Sequence, residues 1–255
     1  MGITANLISF WELEEASGTR IDAVKASANN LADNATVTQN PGKVNQAAQF
    51  TLANSEFLSI ASNASLQANN IDITICAWTY LDTKPTTNMA IVAKQGAGAG
   101  GGDYILFYAG SASSPADRFV FELKDSAGGD VVNAVANTFG SASTATWYFV
   151  VGWFDAAAGV GSISVNDGGT DTNSKTGTPS SSTVTFRLGA RDSGDSFYDG
   201  RIDQVGFWKR VLTAAERTWL YNQGNGRSYS EMAGSGQLLK AVGRNEGARI
   251  QRDVL

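Results

Sequence analysis

The stretch TWYFVVGWF, residues 146–154, decides the fold. In an extended chain, side chains alternate between faces. Trp147, Phe149, Val151 and Trp153 then share one face, and Tyr148, Val150 and Phe154 share the other. A strand apolar on both faces needs cover on both sides, which places it in the middle of a packed β-structure. Outward from it, IDITICAW at 71–78 alternates Ile71, Ile73, Ile75 and Ala77 with Asp72, Thr74 and Cys76. YILFY (104–108), FVFEL (119–123), SISV (162–165) and TVTFRL (183–188) are short, β-branched and aromatic, with turn residues between them. Such spacing predicts an all-β sandwich or barrel.

The turns have local reasons. NDGG at 166–169 and DSAGGD at 125–130 are hairpin candidates, because Asp-Gly accepts the positive φ of a tight turn. GAGAGGGD at 96–103 is a flexible loop; no Lys-Ser/Thr follows it, so it is no phosphate cradle. One helix is predicted at 213–224, with Thr213 and Glu216 forming a capping box and Gly224 as its stop. After Tyr229 the aromatic content falls, and Lys240, Arg244, Arg249 and Arg252 face only Glu246 and Asp253. Residues 1–229 read as one domain and 230–255 as a solvated tail or an arm that docks on a partner.

Composition narrows the chemistry. The 255 residues are 42% hydrophobic and 17% charged, and the net charge is −5. An acidic balance argues against nucleic acid as a partner. The chain has no histidine, which removes Ser-His-Asp and Cys-His systems and His-ligated zinc. With Cys76 alone, no intrachain disulfide forms, so packing must supply the stability. The first 15 residues lack the pattern of a secretory signal, and no apolar run is long enough to span a membrane.

Residues 7–229 resemble, in ordered pieces, the laminin-G-like jelly-roll modules of the concanavalin A-like superfamily. LISFWELEEASGT (7–19) is similar to the family's opening strand and turn. GKVNQAAQFTLANSEFLSI (42–60), IDITICAWTYL (71–81), TWYFVVGWFD (146–155) and SISVNDGG (162–169) follow in the family's order. FYDGRIDQVGFWKRVLTAAE (197–216) is the most specific piece, a Gly-x-Ile-Asp-x-Val strand leading into an Ala-x-x-Glu helix. The resemblance implies a two-sheet antiparallel jelly-roll sandwich with one short C-terminal helix. On this fold Trp11, Trp78, Trp147 and Trp208 are expected in the core; Trp153 is left unassigned because it approaches the Asp155–Gly161 turn.

Several residues are candidates for chemistry. Asp203 in RIDQVGFW is expected on the same face as Val205 and Phe207. A carboxylate there must be hydrogen-bonded, paired or metal-bound. Related modules often hold a structural calcium between first and last strands, and Glu14, Glu15 and Asp22 are the residues that would join Asp203 around it, Glu14 and Asp22 foremost. The loop ARDSGDSFYDG (190–200) is either solvated or lines a ligand site, with Asp192, Asp195 and Asp199 as hydrogen-bonding groups and Phe197 and Tyr198 as stacking surfaces. Glycosidases on this fold carry paired carboxylates on one strand. WELEE places its adjacent acids on opposite faces and IDITI has one acid, so no enzyme is expected.

The function expected from these readings is a non-catalytic virion surface protein, of capsid-decoration or fibre type, with a lectin-like fold that binds glycans. It would belong to a homo-oligomer or a larger assembly, its basic C-terminal residues docking on a capsid or other virion protein. The alternative is an extracellular carbohydrate-binding or adhesion module of a cell. Neither reading involves a membrane.

Overall fold

The computed structural model describes residues 2–24, 29–98 and 100–234. Its strands, numbered in chain order, form two antiparallel sheets. Across the eight-stranded sheet run β13 (Thr170–Ser174), β12 (Val160–Val165), β11 (Trp147–Asp155), β6 (Ile73–Leu81), β15 (Gly200–Trp208), β4 (Gln46–Phe50) and β3 (Thr38–Pro41). The eighth strand, β1 (Leu7–Trp11), also pairs with β15. The seven-stranded sheet runs β10 (Asp130–Val135), β9 (Arg118–Lys124), β8 (Tyr104–Ala109), β7 (Met89–Lys94), β14 (Phe186–Leu188), β5 (Phe57–Ile60) and β2 (Ala32–Asn34). Crossings between the sheets give the jelly-roll arrangement that the sequence predicts.

The alternation in β11 is realised. Tyr148, Val150 and Phe154 enter the core between the sheets, while Phe149, Val151 and Trp153 enter a second apolar layer on the far side of the eight-stranded sheet. Rings from opposite sheets meet in the core: Tyr104 stacks on Phe207 at 5.5 Å, and Trp11 on Phe186 at 5.1 Å. A large aromatic buries roughly 150–250 Å², or about 4–6 kcal/mol gross at ~25 cal/mol per Å². That is the packing a chain without disulfides needs. Gly152 lets the sheets approach, since a Cβ there would lie 2.5 Å from the Phe121 ring.

The second layer is covered by helix α1 (Ala214–Tyr221) and the N-terminal turn. Leu212, Leu220 and Ile3 pack on Trp78, Trp153 and Trp208, and Trp208 Nε1 donates to the Ile3 carbonyl at 2.8 Å. Trp11, Trp78 and Trp208 are buried as expected, Trp147 only half-buried. The Arg217 guanidinium lies 4.0 Å from the Trp153 ring centre. The Thr213–Glu216 capping box forms, and Arg210 grips Glu216 with two 2.7 Å hydrogen bonds. The helix ends earlier than the sequence predicts. Asn222, in a left-handed conformation, is its C-cap, and a 3-10 turn carries the chain to Gly224. Cys76 is a buried apolar residue, its thiol pushed up to about 12 by desolvation.

Two irregularities interrupt the strands, at β14 and in β15. TVTFRL forms strand only at Phe186–Leu188. In β15 the register against β6 slips between Asp203 and Gly206, with Gln204 at φ 48°. On its other edge, β15 meets β4 through Gly200–Ile202 and β1 through Val205–Trp208, so the bulge sits where its neighbour changes. A buried ion pair also fastens the seven-stranded sheet. Lys94 Nζ lies 3.0 Å from Asp103 Oδ2 with both side chains fully enclosed. Lys94 further donates to the carbonyls of Ser182 and Val184, and Asp103 accepts from the amides of Ala68 and Ser182.

Candidate ligand-binding site

Three connections converge: 82–88 between β6 and β7, 110–117 between β8 and β9, and 189–199 between β14 and β15. Backbone bonds knit them together. Ala112 donates to the Thr86 carbonyl at 2.9 Å, Ala90 to that of Ser196 at 2.8 Å, and Asp82 to that of Asp199 at 3.0 Å. Gly110 is required at this junction, because a Cβ would fall 2.2 Å from the Thr87 carbonyl. Asn88 Oδ1 accepts from Gly110 N and Ser113 Oγ, which holds the second loop against the first.

Between the loops lies a cleft of about 420 Å³. Thr86, Thr87 and Asn88 line it from the first loop, Ala112 and Ser113 from the second, and Arg191, Asp195 and Ser196 from the third. Its size falls within the roughly 300–1,000 Å³ common for small-molecule sites. The lining is hydroxyl, amide, one guanidinium and one carboxylate, a set that can donate to and accept from a polyhydroxylated ligand.

Asp195 is held by its own loop. Arg191 donates to it through Nε at 2.8 Å and Nη2 at 2.7 Å, and Ser193 and Ser196 add hydroxyl bonds. The Arg191 hydrogen bonds hold its carboxyl below the usual range against a smaller cost of burial. The other residues predicted in this loop go elsewhere. Asp192 pairs with Arg187 at 2.8 Å. Phe197 is half-buried, 6.4 Å from Phe57, whose ring carries the Arg187 guanidinium at 4.3 Å. Asp199 clamps two loops, accepting from Thr83 Oγ1 at 2.6 Å and Leu52 N at 3.3 Å. Tyr198 corrects the sequence reading. Its ring is fully buried in the core, its hydroxyl bonded to Thr79 and the Tyr80 carbonyl, so it offers no face to a ligand. Sequence reasoning missed the residues of the first two loops. The only available signal was their polar, small-residue composition.

The predicted calcium ligands do not assemble. The bulge at Gln204 turns Asp203 away from Val205 and Phe207. It sits opposite Trp78, which belongs to the outer layer, whereas Val205 and Phe207 enter the core. Its Oδ2 accepts from the amides of Lys43 at 2.7 Å and Val44 at 2.8 Å, fixing the turn between β3 and β4. Its Oδ1 has no hydrogen-bond partner, and burial holds its carboxyl well above the usual range. Glu14 caps the same turn, accepting from Gln46 N at 2.9 Å and Asn45 Nδ2 at 3.3 Å; burial raises its pKa too. Asp22 binds the amides of Phe10 and Val24. Calcium takes six to eight oxygens. Among the described residues, no group of three or more His, Cys, Asp or Glu is placed to hold a metal. The donor set therefore does not fit the ion. Lys240, Arg244, Arg249 and Arg252, predicted to dock on a partner, lie outside the described residues.

Known structures share this architecture at low identity. The binding domain of Paraclostridial Mosquitocidal Protein 1 superposes with a TM-score of 0.62 at 13% identity, over 86% of this chain and 52% of that one. Trypanosoma rangeli sialidase, in complex with a 2,3-difluoro-KDN ligand, gives 0.59 at 15% identity, over 88% of this chain and 34% of that one. Domain 4 of AbnA, a GH43 extracellular arabinanase from Geobacillus stearothermophilus, in complex with arabinotriose, gives 0.56 at 13% identity, over 87% and 98%. The chain thus spans about half of the first protein and a third of the second. No curated protein matches it in sequence. The Laminin_G_3 family profile, of the concanavalin A-like lectin/glucanases superfamily, matches residues 52–216. With that match over most of its length, and with two antiparallel sheets packed as a jelly roll, the chain belongs to the concanavalin A-like lectin/glucanases superfamily.

Proposed function

We propose that this chain is a non-catalytic glycan-binding module whose ligand occupies the cleft between loops 82–88, 110–117 and 189–199. The observation that carries this reading is the lining of that cleft: threonine and serine hydroxyls, the Asn88 amide and the Arg191–Asp195 pair. Fixed, mutually bonded loops support it further, because preorganised polar groups lose little freedom on binding. The arabinanase domain bound to arabinotriose has the same architecture. A non-catalytic role is supported by Asp195. Among the described residues it is the one carboxylate lining the cleft, whereas glycosidases work with a pair flanking the scissile bond.

Display on a virion surface, in a homo-oligomer or on a capsid protein, is the finer reading. A fold stabilised without disulfides supports it, since assembly then needs no oxidising compartment. Export to the outside of a cell is the alternative setting.

The test is a glycan array followed by calorimetry on any hit. Thr87→Ala and Arg191→Ala should each weaken binding about fivefold or more, as expected for one hydrogen bond to the ligand. Absence of any glycan bound, or affinity unchanged in both variants, overturns the reading. Release of reducing sugar from the bound glycan overturns its non-catalytic part.

A further inference from the structure

A second recess of about 270 Å³ lies away from the loop cleft, between the C-terminal end of α1 and the β12–β13 turn. Its walls are Asp167 and Thr218, joined by a 2.9 Å hydrogen bond, and then Trp219, Tyr221, Asn222, Gln223 and Arg227. The helix ends here because Asn222 and Gln223 both take left-handed backbone conformations, at φ 49° and 54°. Asn166 and Asp167 do the same in the opposing turn, at 54° and 56°.

Three of the polar groups around the recess are unused. Among the described residues, the Trp219 indole N–H, the Tyr221 hydroxyl and the Gln223 side-chain amide make no hydrogen bond. The Arg227 guanidinium covers the Trp219 ring at 4.6 Å and fixes its orientation, with Arg227 Nε donating to the Trp219 carbonyl. Tyr221 is locked from behind by stacking on Trp78 at 5.8 Å. Aromatic groups of fixed orientation, beside a free indole N–H, hydroxyl and amide, are suited to a compact neutral polyol.

We propose that this recess is a second carbohydrate site, taking a single sugar unit on the outer side of the eight-stranded sheet. Its volume is just below the usual range for small-molecule sites, which favours one ring over an extended chain. Asp167 keeps a negative charge in the lining, while Arg227 is paired with Glu231 at 3.0 Å, so the site favours an uncharged sugar over an acidic one. It shares no residue with the loop cleft, and its occupancy does not depend on that cleft.

The test uses the full chain, labelled with ¹⁵N so that the indole N–H of each tryptophan is followed separately by NMR. The Trp219 signal is assigned by its loss in Trp219→Phe. The protein is titrated to tens of millimolar with galactose, N-acetylglucosamine, arabinose and N-acetylneuraminic acid. The expected result is a saturable shift of the Trp219 signal with at least one neutral sugar. In Gln223→Ala, an exposed substitution, the same shift should require about fivefold more sugar, as expected for one lost hydrogen bond. In Arg191→Ala the Trp219 titration should be unchanged, which separates this site from the loop cleft. A Trp219 signal that moves with none of the four sugars, or that titrates identically in Gln223→Ala, overturns the proposal. So does a Trp219 response lost in Arg191→Ala.

Discussion

Replacing Lys94 with methionine tests how the seven-stranded sheet is held. The substitution keeps an unbranched stem and removes the ammonium that lies 3.0 Å from Asp103 in a fully enclosed position. Asp103 keeps its bonds from Ala68 and Ser182 but loses its counter-charge, while the Ser182 and Val184 carbonyls lose their donor. Breaking one side of a buried pair costs about 3–5 kcal/mol. With an m-value near 2.5–3 kcal/mol/M, the urea midpoint should fall by about 1–2 M. The assay is equilibrium urea unfolding followed by tryptophan fluorescence. The pH dependence gives a second readout. Burial already raises the Asp103 pKa, and Lys94 is the main influence opposing it. Without Lys94 the folded-state value rises further above the unfolded value of about 3.9. A raised carboxyl pKa favours folding fully below the unfolded pKa, and that stabilisation is lost as pH climbs through the folded one. The deficit of the variant should therefore shrink as pH is lowered from 7 towards 4. Adding Asp103→Asn should restore most of the loss. A deficit under about 1 kcal/mol at neutral pH would refute the reasoning, as would a deficit that ignores pH.

Two further outcomes are expected. Asp203→Asn keeps an acceptor for the Lys43 and Val44 amides and removes a buried charge, so the variant should be at least as stable as wild type at pH 8. Because the Asp203 pKa is raised, wild type should lose stability as pH rises from about 4 through that pKa, and the variant should show a shallower slope in melts across that range. Gly152→Ala drives a Cβ to 2.5 Å from Phe121 and should cost about 1–3 kcal/mol, read as a lower thermal midpoint with unchanged β-sheet circular dichroism.

The sandwich was legible because its strands announce themselves by alternation. Residues 146–154 gave both faces of β11 correctly, and Thr213 with Glu216 marked the helix start, since both signals are local. What depended on pairing was not legible. The bulge at Gln204 exists because β15 changes its neighbour from β4 to β1, and no property of RIDQVGFW shows that. Alternation alone therefore puts Asp203 on the wrong face. At NDGG, the left-handed pair proved to be Asn166–Asp167, with Gly168 closing the turn back to Val165. Tyr198 looked like a loop residue because acidic neighbours surround it, yet its ring fills the core beside Phe50. The loop cleft draws Thr86–Asn88 and Ser113 from connections far apart in sequence, and only the third loop had enough character to be noticed.

The pairing of β1 with β15 sets Leu7 opposite Trp208. During synthesis, then, the opening strand leaves the ribosome long before its partner exists. At about 5–20 residues per second the wait is roughly 10–40 s. Throughout that interval Leu7, Phe10 and Trp11, apolar and later enclosed, have no native strand beside them on that edge. β4 and β6 wait for the same strand, so this half of the eight-stranded sheet can close only once residue 208 has emerged.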